Sequence, residues 1–338
     1  YKNVFEKCIE QIDNNDYPIV LVSDLNQGGL AVFSAMVQQI IQNHYNPINL
    51  YSIKIGKYTK EICNKTLLSA GNYYDYDNLS VIENCNKLLE ESELVTDVFN
   101  QEEKEKISIK RTKQRSILEK DFMNLVKLKK RIKNKRKPTE VVILTDGFSF
   151  SAASVLIKSL YYFGGAIIVN FNGDPATNNN EFDASQSPTF VLNNLTNIPE
   201  AKKLESLGYI FQQISYGPMY KTRYDQNEKS YQIPLEFTHE PTDENISYYN
   251  RIIYMEYSNF TNAVKSIFDY YKNGCNPKGN PNLLLYESKC DDFFPKYTHG
   301  GYSCGNDGKW NTSDCRPSYC DEGYYFDSIR KSCVPYIL

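Results

Sequence analysis

Residues 140–173 read EVVILTDGFSFSAASVLIKSLYYFGGAIIVNFNG. Val141-Val142-Ile143-Leu144 is a β-branched apolar run that ends in the polar turn Thr145-Asp146-Gly147. From about Ala152 to Phe163 an almost wholly apolar segment predicts a helix, which Gly164-Gly165 breaks before a second apolar strand from Ala166. Strand, turn, helix and strand that are apolar all round describe a core unit buried on both faces. Polar side chains of such a unit collect at the turn, where a strand C-terminus meets a helix N-terminus. Ser151 stands at that bend, beside helix-terminal N–H groups. An exposed serine there can act as a nucleophile, and the same position suits an ordinary N-cap serine. Both readings are open on this stretch alone.

Upstream lies a second unit of the same kind. Residues 1–16 read as a short helix that ends in Asp13-Asn14-Asn15-Asp16, and 18–23 as a buried strand. The strand runs into Asp24-Leu25-Asn26-Gln27-Gly28-Gly29, after which Leu30, Phe33, Val37, Ile40 and Ile41 recur at helical spacing. Paired glycines permit positive φ and close approach of backbone to a ligand, or simply tight strand–helix packing. Asp24 and Asp146 end the two key strands as turn-forming aspartates. Sites in open α/β sheets gather at such strand ends. The sequence contains no P-loop, GxGxxG, HExxH or GxSxG.

Farther out the expectations are coarser. Residues 49–55 read as a strand, 56–80 as a Tyr/Asn-rich loop and 81–94 as a helix. Residues 101–137 begin acidic (Glu102, Glu103, Glu105) and end basic (Lys127 through Lys137), with Leu118, Phe122, Leu125, Val126 and Ile132 as an apolar stripe. Acid first and base last complements a helix dipole, which predicts a long charged helical insertion with a solvated face rather than a nucleic-acid patch. A polar loop over 174–187 is long enough to rim a cleft. Strands are expected at 188–192, 209–215 and 230–237, helices at 199–207 and 261–272, and an extended segment at 248–257. His44 reads as a surface or cap residue, whereas His239 lies near a strand end. Glu236 ends an apolar strand, where a carboxylate can orient a base or a water.

A chain of 338 residues with 41% hydrophobic content and a net charge of −3 suits a soluble globular protein, without bias toward nucleic acid or membrane. No apolar run is long enough for a membrane span. Of nine cysteines, Cys8, Cys63 and Cys85 come early, and Cys275, Cys290, Cys304, Cys315, Cys320 and Cys333 cluster in a Gly/Tyr/Asp-rich tail. That even cluster predicts three disulfides holding a small module, and the odd total leaves one early cysteine free or paired across chains. Zinc is disfavoured, because no CxxC pair is present and only His299 lies among the cysteines. Sequons at Asn64, Asn78, Asn194, Asn245, Asn259 and Asn311 agree with an extracellular or secretory-pathway glycoprotein. The start, Tyr1-Lys2-Asn3-Val4, reads as a mature or truncated piece of a longer product.

With both turns in view the sequence resembles a family. SDLNQGGL (23–30) looks like the D-x-R-x-N-G-G-G segment of the tail-specific, or C-terminal-processing, serine proteases. LTDGFSFSAASVLIKSLYYFGGAIIVNFNGDPAT (144–177) is similar to their nucleophile segment, and the likeness covers roughly residues 15–260 with a gap at the charged segment. The resemblance implies a crotonase-like ββα spiral core with Ser151 as nucleophile and Ser149 and Ser154 as flanking serines. It places the oxyanion hole on the backbone N–H groups of Gly28 and Gly29 together with that of the nucleophile region. The lysine base of Ser/Lys members is missing, since their T-x-G-K region reads Pro175-Ala176-Thr177-Asn178 here, and Lys158 lies two turns down the helix. QIPLEFTHEP (232–241) resembles the CPAF-like branch, whose triad is Ser, Glu and a His from an earlier segment that would precede Tyr1. The tail around Tyr302, Cys304, Gly308, Trp310 and Cys315 resembles half of a sushi-type module.

The expectation is therefore an α/β protein with a catalytic domain at 1–273, including the helical insertion at 101–137, and a disulfide module at 274–338. The function implied is a secreted serine-type endopeptidase that acts on polypeptides, with no cofactor and no metal. Its site residues would be Ser151 and Glu236, with Gly28 and Gly29 as backbone donors. The alternative is a catalytically inactive superfamily member that binds a peptide or apolar ligand extracellularly, as interphotoreceptor retinoid-binding proteins do.

Overall fold

The run Val141–Thr145 forms a strand that is buried at every position, as an apolar segment covered on both faces must be. The computed structural model describes residues 2–29, 34, 37–38, 41, 50–56, 59, 73–74, 81–82, 89–90, 92–98, 106–116, 133–171, 183–192, 199–209, 214–217, 219–220, 233–246, 257–321, 324–327 and 332–335. The chain divides into two compact units, one of Tyr1–Pro47, Leu125–Gln186 and His239–Leu338, the other of Ile48–Asn124 and Ser187–Thr238.

In the first unit, helix α1 (Lys2–Asp13) leads to strand β1 (Ile19–Ser23), and strand β2 is Val141–Thr145. Helix α2 (Ala152–Phe163) connects β2 to β3 (Ile167–Asn170), followed by β4 (Glu244–Asn245) and helix α3 (Tyr257–Tyr271). The sheet order is β1-β2-β3-β4, and every pairing is parallel. On one face Ile19, Val141, Ile143 and Ile168 pack with Ile9 of α1 and with Ile157, Leu160 and Tyr161 of α2. On the other, Val142, Leu144, Ile167 and Val169 meet Val264, Ile267, Phe268 and Tyr271 of α3. Two covered faces explain why these strands read as continuous apolar runs without alternation. The structure is thus mixed α/β around a parallel sheet.

The expected helix at 1–16, the strands that lead into the two turns, the strand after Gly165, and the helices from Ala152 and near 261 all form. Ser34, Val37, Gln38 and Ile41 are helical; Leu30, Phe33, Ile40 and His44 lie outside the described residues. Gly164 ends α2 in the left-handed region at φ 62, which favours glycine. A Cβ there would fall 1.8 Å from the Asn282 carbonyl oxygen, so the glycine is also where the tail passes close.

Residues after 273 are knitted into this unit. Buried Asp243 accepts the N–H of Ile168 at 2.7 Å and that of Asn280 at 2.7 Å, and Asn280 Nδ2 donates to the Tyr161 carbonyl at 2.8 Å. Burial pushes the Asp243 carboxyl up to about 7. Trp310 packs on the α3 side of the core and donates its indole N–H to the Tyr271 carbonyl at 3.2 Å. Three disulfides, Cys275–Cys304, Cys290–Cys315 and Cys320–Cys333, bear out the expectation for the tail, and the first two interleave along the chain. Cys8 is free and exposed; Cys63 and Cys85 lie outside the described residues.

His299 bridges two parts of the tail. Its Nδ1 is 3.0 Å from Asp291 and its Nε2 2.8 Å from Asp321, while the ring stacks on Tyr319. Partial burial disfavours the imidazolium, but the hydrogen bonds to Asp321 and Asp291 outweigh it and raise the His299 pKa. A raised histidine pKa stabilises the fold fully below the unfolded value of about 6.5, and the contribution is lost as pH rises through the folded-state value. The thermal midpoint should therefore fall between pH 6 and 8.5 in the wild type by more than in His299→Asn. Equal slopes in the two proteins would overturn this assignment.

The second unit corrects several expectations. Instead of a helix over 81–94, it contains strands Val81–Ile82 and Ser92–Val98. The long charged helix expected over 101–137 is not formed at 106–116, where Lys106–Thr112 and Arg115–Ser116 are strands. KISIKRT alternates in the period-2 pattern of a strand. It pairs antiparallel with SELVTDV, in a register that sets residue 93 opposite Arg111 and residue 94 opposite Lys110. Residues 117–132 lie outside the described residues. Arg111 is wholly buried with its guanidinium 4.4 Å from the Tyr220 ring centroid. In place of a strand over 230–237, Leu235–Phe237 form a 3-10 turn after Pro234, whose missing N–H cannot join a sheet ladder.

Arg136, from the basic end of the charged run, is no solvated residue. It lies buried in the first unit and donates to the carbonyls of Ile12, Asn15 and Tyr17. Its charge sits at the C-terminal end of α1, where a cation is favoured.

Candidate active site

Strands β1 and β2 end side by side, with Ser23 opposite Thr145. The loops that follow, 24–29 and 146–151, therefore share one end of the sheet, and Asp146 fastens them together. Its Oδ2 accepts the Leu25 N–H at 2.7 Å and its Oδ1 the Phe148 N–H at 3.0 Å. This is the turn-forming role expected of it. Ser23 Oγ and Ser149 Oγ lie 2.6 Å apart, and the Phe150 N–H donates to the Asn26 carbonyl at 2.9 Å.

The turn is lined on its other side by 183–186. Thr145 Oγ1 donates to the Ala184 carbonyl at 2.9 Å, the Gln186 N–H to the Ser149 carbonyl at 2.8 Å, and Gln186 Nε2 to the Gly147 carbonyl at 2.9 Å. Both flanks of the bend are thus fixed by hydrogen bonds.

Ser151 closes the turn with φ 54 and ψ −123. A non-glycine residue held in such a region costs on the order of 1–3 kcal/mol. Helix-capping serines take extended backbone and bond the N2 or N3 amide; Ser151 does neither, making no side-chain capping hydrogen bond. Its neighbours are committed, Ser149 to Ser23, and Ser154 to Ser185 and the Gln186 carbonyl. Of the three serines, Ser151 is the one that capping and packing do not explain.

The Gly28-Gly29 turn comes to it. Gly28 has φ +94, and a Cβ built on it would lie 2.6 Å from the Phe150 carbonyl oxygen and 2.7 Å from Ser151 Cβ. Only a glycine allows its backbone to touch the serine. The Gly28 N–H donates to Asn26 Oδ1 at 3.1 Å, which engages one of the two expected donors. Around Gly29 there is open space, with nothing within 4 Å of a Cβ position. At the head of α2 the Ala152 N–H, one of the orphan donors of a helix start, lies 3.0 Å from the Cβ position of Gly28.

Lys158 is buried on α2 and forms an ion pair with Glu240, which is buried too. Tyr162 donates its hydroxyl to the other Glu240 oxygen at 2.6 Å. A lysine so paired is a structural cation rather than a base. Asp183 lies beside it and is pushed up to about 6 by burial, with Lys158 pulling the other way. His239 is exposed, its Nδ1 3.9 Å from Asp183 Oδ2.

Glu236 belongs to the second unit, half-buried in its 3-10 turn and 3.6 Å from Lys54 Nζ. Glu240 and Asp183 escaped the sequence reading. The signal that pointed to them is Lys158 itself, since a lysine on an otherwise apolar helix calls for a buried counter-charge.

Among the described residues no group of three or more His, Cys, Asp or Glu could hold a metal ion, and no helix is long and apolar enough to cross a membrane. Comparison with family models, curated proteins and solved structures gives no match.

Proposed function

We propose that the protein is a secreted serine-type endopeptidase of the tail-specific family, CPAF-like branch, built on a crotonase-like core, with Ser151 as its nucleophile. The observation that carries this reading is the Ser151 backbone, strained at φ 54 and ψ −123, uncapped, and pressed against Gly28. Strain of this kind persists only where the surroundings enforce it, and the hydroxyl makes no capping hydrogen bond. The three tail disulfides fit the secretory route.

In the proposed reaction Ser151 Oγ attacks the scissile carbonyl and an acyl-enzyme forms as the amine leaves. The developing oxyanion is met by the N–H groups of Gly29 and Ala152, with Gly28 supplying close approach and its N–H becoming a third donor if Asn26 releases it. A fixed donor of this kind is worth roughly 3–4 kcal/mol in the transition state. The CPAF-like pattern assigns proton transfer to a histidine and its orientation to Glu236; that assignment stands on the resemblance alone.

A second reading, an inactive superfamily member that binds a peptide or apolar ligand, is favoured by the Asn26 side chain occupying the Gly28 N–H. One experiment separates the two. A fluorophosphonate probe should label the full-length protein at Ser151, and Ser151→Ala should abolish labelling. Absence of labelling in a folded wild type would sink the peptidase reading and leave the binding protein.

A further inference from the structure

Two large apolar side chains stand in solvent at the lip of this turn. Phe148 is 60% exposed and Leu25 is 44% exposed, although each belongs to a loop that is otherwise fixed by hydrogen bonds. Neither exposure comes from a slack segment. A single carboxylate, that of Asp146, accepts both backbone N–H groups, at 2.7 Å for Leu25 and 3.0 Å for Phe148. The two residues are thereby held next to each other. Leu25 adopts φ 45, a left-handed conformation costly for a branched aliphatic residue, and the Asp146 bond secures it there.

Their places along the chain matter as much as their exposure. Phe148 lies three residues before Ser151, and Leu25 three residues before Gly28, whose backbone touches Ser151. One residue therefore stands on the loop of the candidate nucleophile and the other on the loop that meets it. Scattered surface apolar residues need no explanation, but two fixed beside a reactive group make a binding surface.

We propose that Leu25 and Phe148 form the subsite that seats an apolar side chain of the substrate, on the acyl side of the bond attacked by Ser151. The proposal rests on the reading of Ser151 as nucleophile. It makes the preferred substrates polypeptides with a leucine- or phenylalanine-like residue before the scissile bond. Burial of such a side chain against two apolar walls favours it over a charged one, and discrimination of at least about 10-fold follows from the contact.

The test uses full-length protein and peptide p-nitroanilides that differ only in the residue before the scissile bond, namely Leu, Phe, Asp and Lys. Wild type should show kcat/KM at least about 10-fold higher for Leu and Phe than for Asp and Lys. Phe148→Lys should lower the Leu-to-Asp ratio by at least about 10-fold, through KM more than kcat. Leu25→Lys, on the opposite loop, should move the ratio in the same direction and keeps the test intact if one variant misfolds. A probe-labelled wild type whose Leu-to-Asp ratio is the same in both folded variants overturns the subsite and leaves Ser151 standing. A wild type that neither labels nor turns over any anilide overturns both.

Discussion

Lys158→Met is expected to destabilise the first unit by about 3–5 kcal/mol, the range found when one partner of a buried ion pair is removed. Methionine keeps the length and apolar stem of lysine, so packing along α2 changes little and the loss is electrostatic. What remains is Glu240, wholly buried, with the Tyr162 hydroxyl still donating but no cation opposite. Asp183 compounds the effect: Lys158 is the charge that lowers its pKa against burial, so without it Asp183 takes up its proton at still higher pH. Combining Lys158→Met with Glu240→Leu should recover most of the stability, because replacing both members of a buried pair by apolar groups is often neutral. Chemical denaturation of the wild type, the two single variants and the double variant gives the coupling energy directly. A single Lys158 variant that loses less than about 1 kcal/mol would show that the pair is solvated, contrary to its burial.

That pair marks the boundary of what the sequence could disclose. The stretch 140–171 was legible because its elements differ in length and in their end signals. A short β-branched run, a twelve-residue apolar segment and a glycine pair allow one reading each, and strand, helix and left-handed cap appear where they point. Side-chain partners across long separations are not written in local pattern. A lysine on an apolar helix calls for a counter-charge, but nothing local shows that residue 240 supplies it. Arg136 looked like the end of a basic run because the carbonyls it binds, at and just beyond the end of α1, lie far away in sequence.

Where reading failed, two periodicities competed. Residues 106–112 carry enough charge to resemble a solvated helix, yet Ile107, Ile109 and Arg111 fall at period 2 and the segment pairs with 92–98. Its partner is the neighbouring strand, which a dipole argument along one helix cannot represent. Glu236 was placed at a strand end, but Pro234 removes a ladder donor and the segment turns instead. The candidate site shows the same division. Residue types located Ser151 and the glycines, whereas the backbone strain that sets Ser151 apart from an ordinary cap appears only in three dimensions.

Gly28→Ala is the sharpest probe of that geometry and should all but abolish labelling of Ser151. Two penalties act together. At φ +94 an alanine is strained wherever it points. Its Cβ would also fall 2.6 Å from a backbone carbonyl oxygen and 2.7 Å from Ser151 Cβ, and neither is the far end of a flexible chain that could step aside. Either loop 24–29 withdraws, taking the Gly29 N–H with it, or the Ser151 turn is pushed over. A displacement of about 1 Å at a reacting centre costs on the order of 100-fold in rate, and labelling should fall at least that far. Gly29→Ala serves as the contrast, because its Cβ position meets nothing within 4 Å; its effect should be confined to screening the adjacent N–H and so be much the smaller. Labelling is to be compared with thermal unfolding of the same preparations. If Gly28→Ala labels at the wild-type rate while remaining folded, the contact between the glycine turn and Ser151 has no part in reactivity. If the two glycine variants lose labelling equally, close approach is not what distinguishes Gly28, and a donor role for both glycines is the better account.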